Sequence, residues 1–317
     1  MIRYIYRRIL YSIPLIVMVM VFSFFVIHIM PGDPVRTMLG DRATIEQIQR
    51  VEERLNLDKP VIEQFVIWLK GVVHLDFGES LRLTEPVLDI ILKSIEPTFL
   101  LAIIGTIISI LLGIPLGVLS AIKKGKFTEK GLYILSLISI SIPAFWIAII
   151  MIQVFAVKLH IFPVAGYNNI ASSGLKKALS DLMLPGIILG IMYSGQIGRM
   201  TKSTMLEILE QDYLRTARAA GIKEYIVVYY YALKNALASV AVVIGFCFAG
   251  LLAGAVVIEQ IFNIPGIGSL AITSILNRDY PLIQGILLFI SMVFIVVNML
   301  TDVLCAILDP KVRYENE

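Results

Sequence analysis

The chain has 317 residues, of which 58% are hydrophobic and 16% are charged, and its mean hydropathy is +0.85. A soluble domain carries about 25% charged residues, so this composition excludes an ordinary soluble domain and indicates a membrane protein with several spans. The net charge of +3 requires no nucleic-acid partner, because cytoplasmic loops of membrane proteins collect Lys and Arg.

Six apolar segments are long enough to cross a bilayer, which takes about 20 residues as a helix. We predict spans at 9–30, 98–122, 132–157, 179–200, 236–258 and 282–308. The fourth is the least apolar, because Gly186, Gly190, Gly195 and Gly198 dilute it. Its small residues recur at every fourth position and let helices approach closely, either between subunits or, as we favour, within the bundle.

The first segment follows Arg3, Arg7 and Arg8, as the apolar part of a signal peptide would. Its apolar part is too long for a signal peptide, and residues 30–33 (Met-Pro-Gly-Asp) are not a small-residue cleavage site. We therefore expect this segment to be retained as the first transmembrane helix.

Basic residues concentrate ahead of the first span, between spans two and three, between spans four and five, and after the sixth. With six spans all four places lie on one side, so the positive-inside rule predicts that both termini are cytoplasmic. The loop between spans three and four departs from the rule, since it carries Lys158, Lys176 and Lys177. The predicted fold class is an all-α membrane protein with six transmembrane helices and a small helical external insertion after the first.

We divide the chain into 1–30 (cytoplasmic N-terminus and first helix), 31–95 (external insertion), 96–308 (five-helix core) and 309–317 (cytoplasmic tail). In the insertion, Thr44 with Gln47 forms a capping-box pattern that predicts one helix. Asp58 and Pro60 predict the start of a second helix. Such an insertion either docks a soluble partner or braces the bundle.

The longest polar stretch of the core is the loop 201–235. Asp212 can cap a helix that runs to Ala220, Gly221 supplies the left-handed residue that ends it, and Ile222 begins a second helix. Its charge alone is equally consistent with a cytoplasmic loop that is simply exposed to solvent. A short helix, a glycine corner and another helix at the membrane surface favour a structure that is presented to a partner.

This loop resembles the EAA loop of ABC-importer permeases: Glu-Ala-Ala, three residues, Gly, nine residues, Ile, any residue, Leu-Pro. With Gly221 as the anchor, Ala217, Gly221 and Leu233 match the pattern. The Glu, first Ala, Ile and Pro positions hold Arg215, Thr216, Tyr231 and Lys234 instead. The version here, R-T-A-R-A-A-G followed by Y-A-L-K-N-A-L, is similar to the dipeptide/oligopeptide permease subfamily.

Further segments resemble the same subfamily, in order along nearly the whole chain. They are Y-I-Y-R-R-I-L (4–10), M-P-G-D-P (30–34), L-N-L-D-K-P (55–60), L-D-F-G-E-S (75–80), E-P-T-F-L-L (96–101), V-I-E-Q-I-F-N-I-P-G-I-G-S-L (257–270), R-D-Y-P (278–281) and L-D-P-K-V-R-Y (308–314). Residues 265–268 (Pro-Gly-Ile-Gly) also predict a turn that is re-entrant or lies at the outer mouth of the bundle.

The resemblance implies a permease in a prokaryotic cell membrane that forms half of a pore together with a paralogous subunit. It also implies two cytoplasmic ATPase subunits, which bind ATP and Mg, and an external solute-binding protein. The residues implied to contact the ATPase are Asp212, Arg215, Thr216, Ala217, Arg218 and Gly221. The subfamily includes systems for dipeptides, oligopeptides, nickel, glutathione and other small solutes, which leaves the substrate open.

The sequence contains no motif that is typical of an enzyme active site or a nucleotide-binding site. It has no G-x-x-x-x-G-K-[ST] loop to hold ATP phosphates and no G-x-S-x-G nucleophile. His28, His74 and His160 are far apart, without metal-ligand spacing. We therefore expect no catalytic site, no cofactor and no metal on this chain.

Few ionisable residues fall inside the predicted spans, and we select three polar residues as candidates for a substrate pathway: Gln196, Asn298 and Asp302. For Asp302 we favour pairing within the bundle, or a position at the membrane interface, over a pathway role. A secondary transporter or channel without an ATPase is the alternative function, but it predicts internal repeats and several intramembrane charges. A membrane scaffold is a third possibility, which leaves the helix–glycine–helix loop unexplained.

Overall fold

A computed structural model describes residues 2–29, 35, 44–54, 56–123 and 127–308 of the chain. Regular structure in these residues is helical apart from one β-bridge between Glu79 and Pro86. The α-helices are α1 (Ile2–Ile29), α2 (Ile45–Arg54), α3 (Val61–Val73), α4 (Val87–Ile122), α5 (Phe127–Ser141), α6 (Ala144–Met151), α7 (Ile170–Leu209), α8 (Asp212–Ala219), α9 (Glu224–Ile226), α10 (Leu233–Gly254), α11 (Val256–Ile261), α12 (Ile267–Leu276) and α13 (Tyr280–Leu308). Two π-helical segments, Ile152–Lys158 and Val227–Ala232, continue α6 and α9.

Four helical stretches of the described chain are long and apolar enough to cross a membrane: Val87–Ile122, Ile170–Leu209, Glu224–Leu252 and Tyr280–Leu304. They contain most of the second, fourth, fifth and sixth predicted spans. The apolar part of α1, Leu10–Val26, and the stretch Ala144–Lys158 are shorter. The all-helical membrane fold is therefore confirmed, and the count of six spans with cytoplasmic termini stays a prediction.

The third predicted span, 132–157, is wrong as a single helix. Helix α5 ends at Ser141 and α6 begins at Ala144, because Pro143 has no backbone N–H to donate and restricts the residue before it. Beyond α6 the chain widens into the π-helical segment Ile152–Lys158. The apolar residues thus form two helices that are joined at a proline.

Helix α7, which contains the span that we predicted as the weakest, covers 40 residues and is kinked near its start, where Gly174 has a non-helical backbone (φ 77°, ψ 161°). It lies against α4 and α5, and its glycines are where the backbones meet. A Cβ added to Gly186 would lie 2.4 Å from Ile104 Cγ2, and one added to Gly117 of α4 would lie 2.6 Å from Gly198 O. Close packing within the bundle is therefore confirmed, and it explains why this central helix is the least apolar.

The helical insertion that follows α1 packs onto the C-terminal end of α1. Phe24 of α1 contacts Phe65 and Trp68 of α3, with ring centroids 5.2 and 5.7 Å apart. His28 lies 3.2 Å from the buried Gln64 side chain. Helices α2 and α3 lie where the sequence predicted helices, and these contacts favour the bracing role of the insertion.

A loop within the insertion, residues 75–86, is fastened to the start of α13. Asp279 is buried, and its carboxylate accepts hydrogen bonds from Ser80 Oγ (2.5 Å) and Leu81 N (3.3 Å). Two segments that resemble the peptide-permease subfamily, L-D-F-G-E-S and R-D-Y-P, therefore contact each other, although they are almost 200 residues apart in sequence.

Two carboxylates hold the loop between α6 and α7. Glu96 accepts from Ile170 N at 2.8 Å and from the Tyr167 hydroxyl, and burial together with this hydroxyl bond raises the pKa of Tyr167. The buried Asp181 accepts from Lys177 Nζ at 2.7 Å. This ion pair gives one of the lysines that depart from the positive-inside rule a structural role.

Candidate functional site

The short helix α8 lies beneath the ends of α4, α7 and α10, and one side chain anchors it. Leu214 is fully buried in an apolar cluster with Val118 and Ala121 of α4, Met205 of α7, and Val228. Burial of a leucine side chain is worth about 2–3 kcal/mol, which is enough to hold a two-turn helix that is too short to be stable by itself. The helix is therefore a fixed part of the bundle.

The end of α8 is a glycine corner, as predicted. Gly221 has φ +77°, in the left-handed region that favours glycine. Gly221 N donates to Arg218 O (3.0 Å) and Ile222 N donates to Ala217 O (3.2 Å), which is the Schellman pattern. Ala217 and Ile222 both pack against the Leu214 cluster, so the corner is closed by an apolar contact as well.

The other end of α8 differs from the sequence prediction. Asp212 is the first helical residue and not the cap; Gln211 precedes the helix in an extended conformation. The Asp212 carboxylate lies in the first turn, where the helix dipole favours a negative charge, and it pairs with Arg215 at 3.3 Å. The second helix likewise begins at Glu224, after the turn, and not at Ile222.

Arg218 forms a clamp across the glycine corner. Its Nε and Nη2 donate to the two carboxylate oxygens of Glu224 at 3.1 and 3.0 Å, and its Nη1 donates to Leu209 O at 3.4 Å. The hydrogen bond and charge of Glu224 raise the pKa of the Arg218 guanidinium. This bidentate pair fixes the angle between α8 and the chain that follows.

The exposed face of α8 is polar and free for a partner. The side chains of Asp212 and Arg215 are 94% and 70% exposed, and Thr216 is also exposed, with its hydroxyl bonded to Asp212 O. Ala217 is half-buried on the opposite side, against the cluster. The structure thus brings the predicted residues into one helix and corner, with an outer charged face and an inner apolar one.

The start of the next membrane helix is tied to α8. Asn235 Nδ2 donates to the Tyr213 hydroxyl and to Tyr231 O, each at 3.0 Å. The π-helical segment Val227–Ala232 lies between these contacts, and three of its residues, including Val227 and Val228, are buried in the Leu214 cluster. A displacement of α8 would therefore be passed directly to α10.

The predicted pathway residues do not form one cluster among the described contacts. Gln196 is exposed on α7, and Asn298 is half-buried on α13. Asp302, one turn beyond Asn298, pairs with Arg8 of α1 at 3.0 Å. The pairing that we favoured for Asp302 is confirmed.

A buried carboxylate that was not predicted from the sequence lies at the opposite end of the bundle. Glu259 of α11 is fully buried and accepts from Thr98 Oγ1 (2.6 Å) and Ser269 N (2.8 Å). Thr98 Oγ1 in turn accepts from Ile267 N at 2.8 Å, so both side chains hold the first turn of α12. The available signal was an acidic residue in an apolar segment, shortly before Pro-Gly-Ile-Gly.

Helix α12, which follows this turn, has 10 residues and is apolar, which is too short to cross a bilayer. It begins at Ile267, within the predicted turn at residues 265–268. Its first residue, Ile267, is buried against α4 and α13. The turn therefore leads into a short helix that packs on the bundle, in agreement with a re-entrant or outer-mouth segment.

Two family models cover the chain. The model described as binding-protein-dependent transport system inner membrane component matches residues 113–314, and the model of the N-terminal part of such components matches residues 1–102. The chain therefore belongs to the family of binding-protein-dependent transport system inner membrane components. The resemblance seen in the sequence is confirmed, and the protein is a multi-pass component of the inner membrane.

Individual relatives match over nearly their full length. A Brucella abortus (strain 2308) protein, whose name assigns it to peptide transport system permeases, is 40% identical over 309 residues, covering 98% of each chain. The dipeptide transport system permease protein of Alkalihalophilus pseudofirmus is 35% identical, covering 99% of this chain and 100% of the relative. The glutathione transport system permease protein of Escherichia coli (strain K12) is 34% identical, with the same coverage.

Proposed function

We propose that this chain is the transmembrane permease subunit of an ATP-driven importer for di- or oligopeptides. Family membership supports the permease role, and the names of the relatives from Brucella and Alkalihalophilus support a peptide substrate. The relative from Escherichia coli is named for glutathione, which is itself a tripeptide. Peptides are therefore the substrate class that these relatives have in common.

In the proposed assembly, the chain has six spans and cytoplasmic termini, and it forms half of the pore with a paralogous permease. An external solute-binding protein delivers the substrate. Two ATPase subunits bind ATP and Mg on the cytoplasmic side, and hydrolysis takes place on them and not on this chain. The predicted divisions at 30, 95 and 308 remain part of this proposal.

Helix α8 carries the coupling role in this proposal. Its outer face, with Asp212, Arg215 and Thr216, contacts the ATPase, while Leu214 and the Arg218–Glu224 clamp hold the helix on the bundle. Because α8 is fastened to α10, movement of the ATPase subunits moves the membrane helices. ATP shifts this equilibrium only if the ATPase binds α8 differently in its two states.

Within the membrane, we propose Gln196 and Asn298 as residues of the substrate pathway. An exposed amide on a central helix such as α7 is unfavourable against lipid, which supports a position facing the pore or the second permease. Asp302 acts with Arg8 as a link between α13 and α1 at the edge of this pathway.

Replacing Gly221 tests the coupling role. A Cβ at this position meets no atom within 4 Å, so the effect of Gly221→Val comes from its φ of +77°, which costs a β-branched residue about 1–2 kcal/mol. In proteoliposomes that contain the whole transporter, we expect Gly221→Val to lower ATP-driven peptide uptake while ATP hydrolysis continues. Gly221→Asn, which tolerates this backbone, is the control and keeps both activities. Unchanged uptake by the valine variant would contradict the proposal.

A further inference from the structure

A cavity of about 370 Å³ opens beside the crossing of α5 and α7, at the end of the bundle that carries α8. The two helices approach closely there: a Cβ on Gly198 would lie 2.6 Å from Leu132 Cδ1, and Ser136 Oγ donates to Gly195 O at 3.4 Å. The cavity therefore has rigid walls. Neither the coupling role of α8 nor the predicted pathway uses it.

The cavity is basic. Lys130 of α5 and both Arg199 and Lys202 of α7 line it, and Glu129 is the one carboxylate among the described residues of the lining. Lys202 forms an ion pair with Glu129, so the positive charges of Lys130 and Arg199 are left over. Lys130 and Arg199 are exposed, and neither forms an ion pair with another described residue. An anion that enters the cavity thus meets two cations that need not give up another partner.

An apolar stripe leads from this basic rim along α5. Tyr133, which also lines the cavity, is 65% exposed, and Ile134 and Leu137 are 56% and 44% exposed. Leu137 lies four residues after Tyr133 and three after Ile134, so it is a surface neighbour of both, and the three side chains share one side of the helix. In a membrane this surface faces acyl chains, with the tyrosine at the level of the headgroups.

We propose that this cavity binds the headgroup of an anionic phospholipid, with the acyl chains along Tyr133, Ile134 and Leu137. Lys130 and Arg199 pair with the phosphate, and Arg199 offers it a two-pronged donor. Basic cavities between membrane helices are sites for anionic lipid headgroups. The continuous apolar stripe favours a lipid over a free phosphate, because a free phosphate has no acyl chains to contact these side chains. The site is independent of the proposed transport function.

Native mass spectrometry of the assembled transporter, co-expressed with its partner subunits and titrated with phosphatidylglycerol or phosphatidylcholine, tests the site. Each cation near an anionic lipid contributes about a fivefold preference, so Lys130→Gln/Arg199→Gln should reduce the preference for phosphatidylglycerol by about 25-fold. Lys130→Arg, which keeps both positive charges and the two-pronged donor of Arg199, should retain it. The control Lys123→Gln/Lys176→Gln removes the same net charge from two exposed lysines outside the cavity and should change it little.

Competition with inorganic phosphate separates a lipid site from a free-anion site. Phosphatidylglycerol that stays bound in excess phosphate supports the proposal, and its displacement overturns it in favour of an anion site. Equal binding of the two lipids by the unaltered transporter, or an equal loss in the control variant, also overturns it. The thermal unfolding midpoint of each variant in lipid-free detergent shows that the comparison is between folded proteins.

Discussion

At the scale of single residues, Glu259 shows how one carboxylate determines local backbone structure. It is fully buried, yet its oxygens accept from Thr98 Oγ1 and Ser269 N, which offsets the cost of removing them from water. It lies directly beneath the turn that begins α12: a Cβ added to Gly266 would come within 2.4 Å of its carboxyl carbon. The Glu259 carboxylate therefore occupies the space that a side chain at position 266 would need, so the turn requires glycine there.

We predict that Glu259→Gln destabilises the protein. The amide group would place N–H donors opposite the donors of Thr98 and Ser269, and a buried polar group left unsatisfied costs about 1–3 kcal/mol. The thermal unfolding midpoint in detergent should fall. Glu63→Gln is the matched control, because Glu63 is exposed and its ion pair with Lys59, at 3.8 Å, is on the surface. Equal midpoints for the two variants would show that Glu259 has no supporting role.

Single residues also show which features could be predicted from the sequence and which could not. The left-handed Gly221 was predictable, because only glycine adopts that backbone at little cost. The ion pair of Asp302 was favoured in advance, but its partner Arg8 was not identified, since no local pattern joins residues so far apart in sequence. For the same reason the contact of Asp279 with Ser80 was not anticipated, although both segments were recognised.

At the scale of helices, hydropathy placed most of the spans correctly and misjudged one of them, residues 132–157. Helix α7 has the lowest hydropathy of the four long apolar stretches, as predicted, and the glycines that lower it are its contacts with α4 and α5. The composition of residues 132–157 predicts one continuous span, but the helix is interrupted at Pro143. Hydropathy averages over a window, so it does not register a packing interface or one missing backbone donor.

The packing of α4 against α7 gives a prediction at this scale. A Cβ at Gly117 would lie 2.6 Å from Gly198 O and from Thr201 Cβ, so Gly117→Ala must separate the two helices, at a cost of about 1–3 kcal/mol. Gly131→Ala in α5 is the control: its Cβ meets nothing within 4 Å, and alanine favours a helix by about 1 kcal/mol. The thermal unfolding midpoint should therefore fall for Gly117→Ala and rise for Gly131→Ala. A shift of the same sign in both would contradict the close approach.

At the scale of the whole molecule, the two ends of the bundle are built differently. One end carries the insertion, the turn above Glu259 and a loop held by Glu96 and Asp181. The other carries α8, with charged residues exposed and Leu214 buried. This asymmetry fits a membrane subunit that receives a solute on one side and contacts ATPase subunits on the other.

The central claim is that α8 joins this permease to separate ATPase subunits, and affinity purification in detergent followed by mass spectrometry tests it most directly. The charge swap Asp212→Lys/Arg215→Glu reverses the exposed face of α8 while keeping an ion pair there. The control swap Lys59→Glu/Glu63→Lys does the same to an exposed pair of the insertion. We predict that the unaltered and control proteins recover a second multi-span permease and a P-loop ATPase, and that the α8 swap recovers the permease without the ATPase. A homo-oligomer that transports in vesicles without ATP would contradict the account.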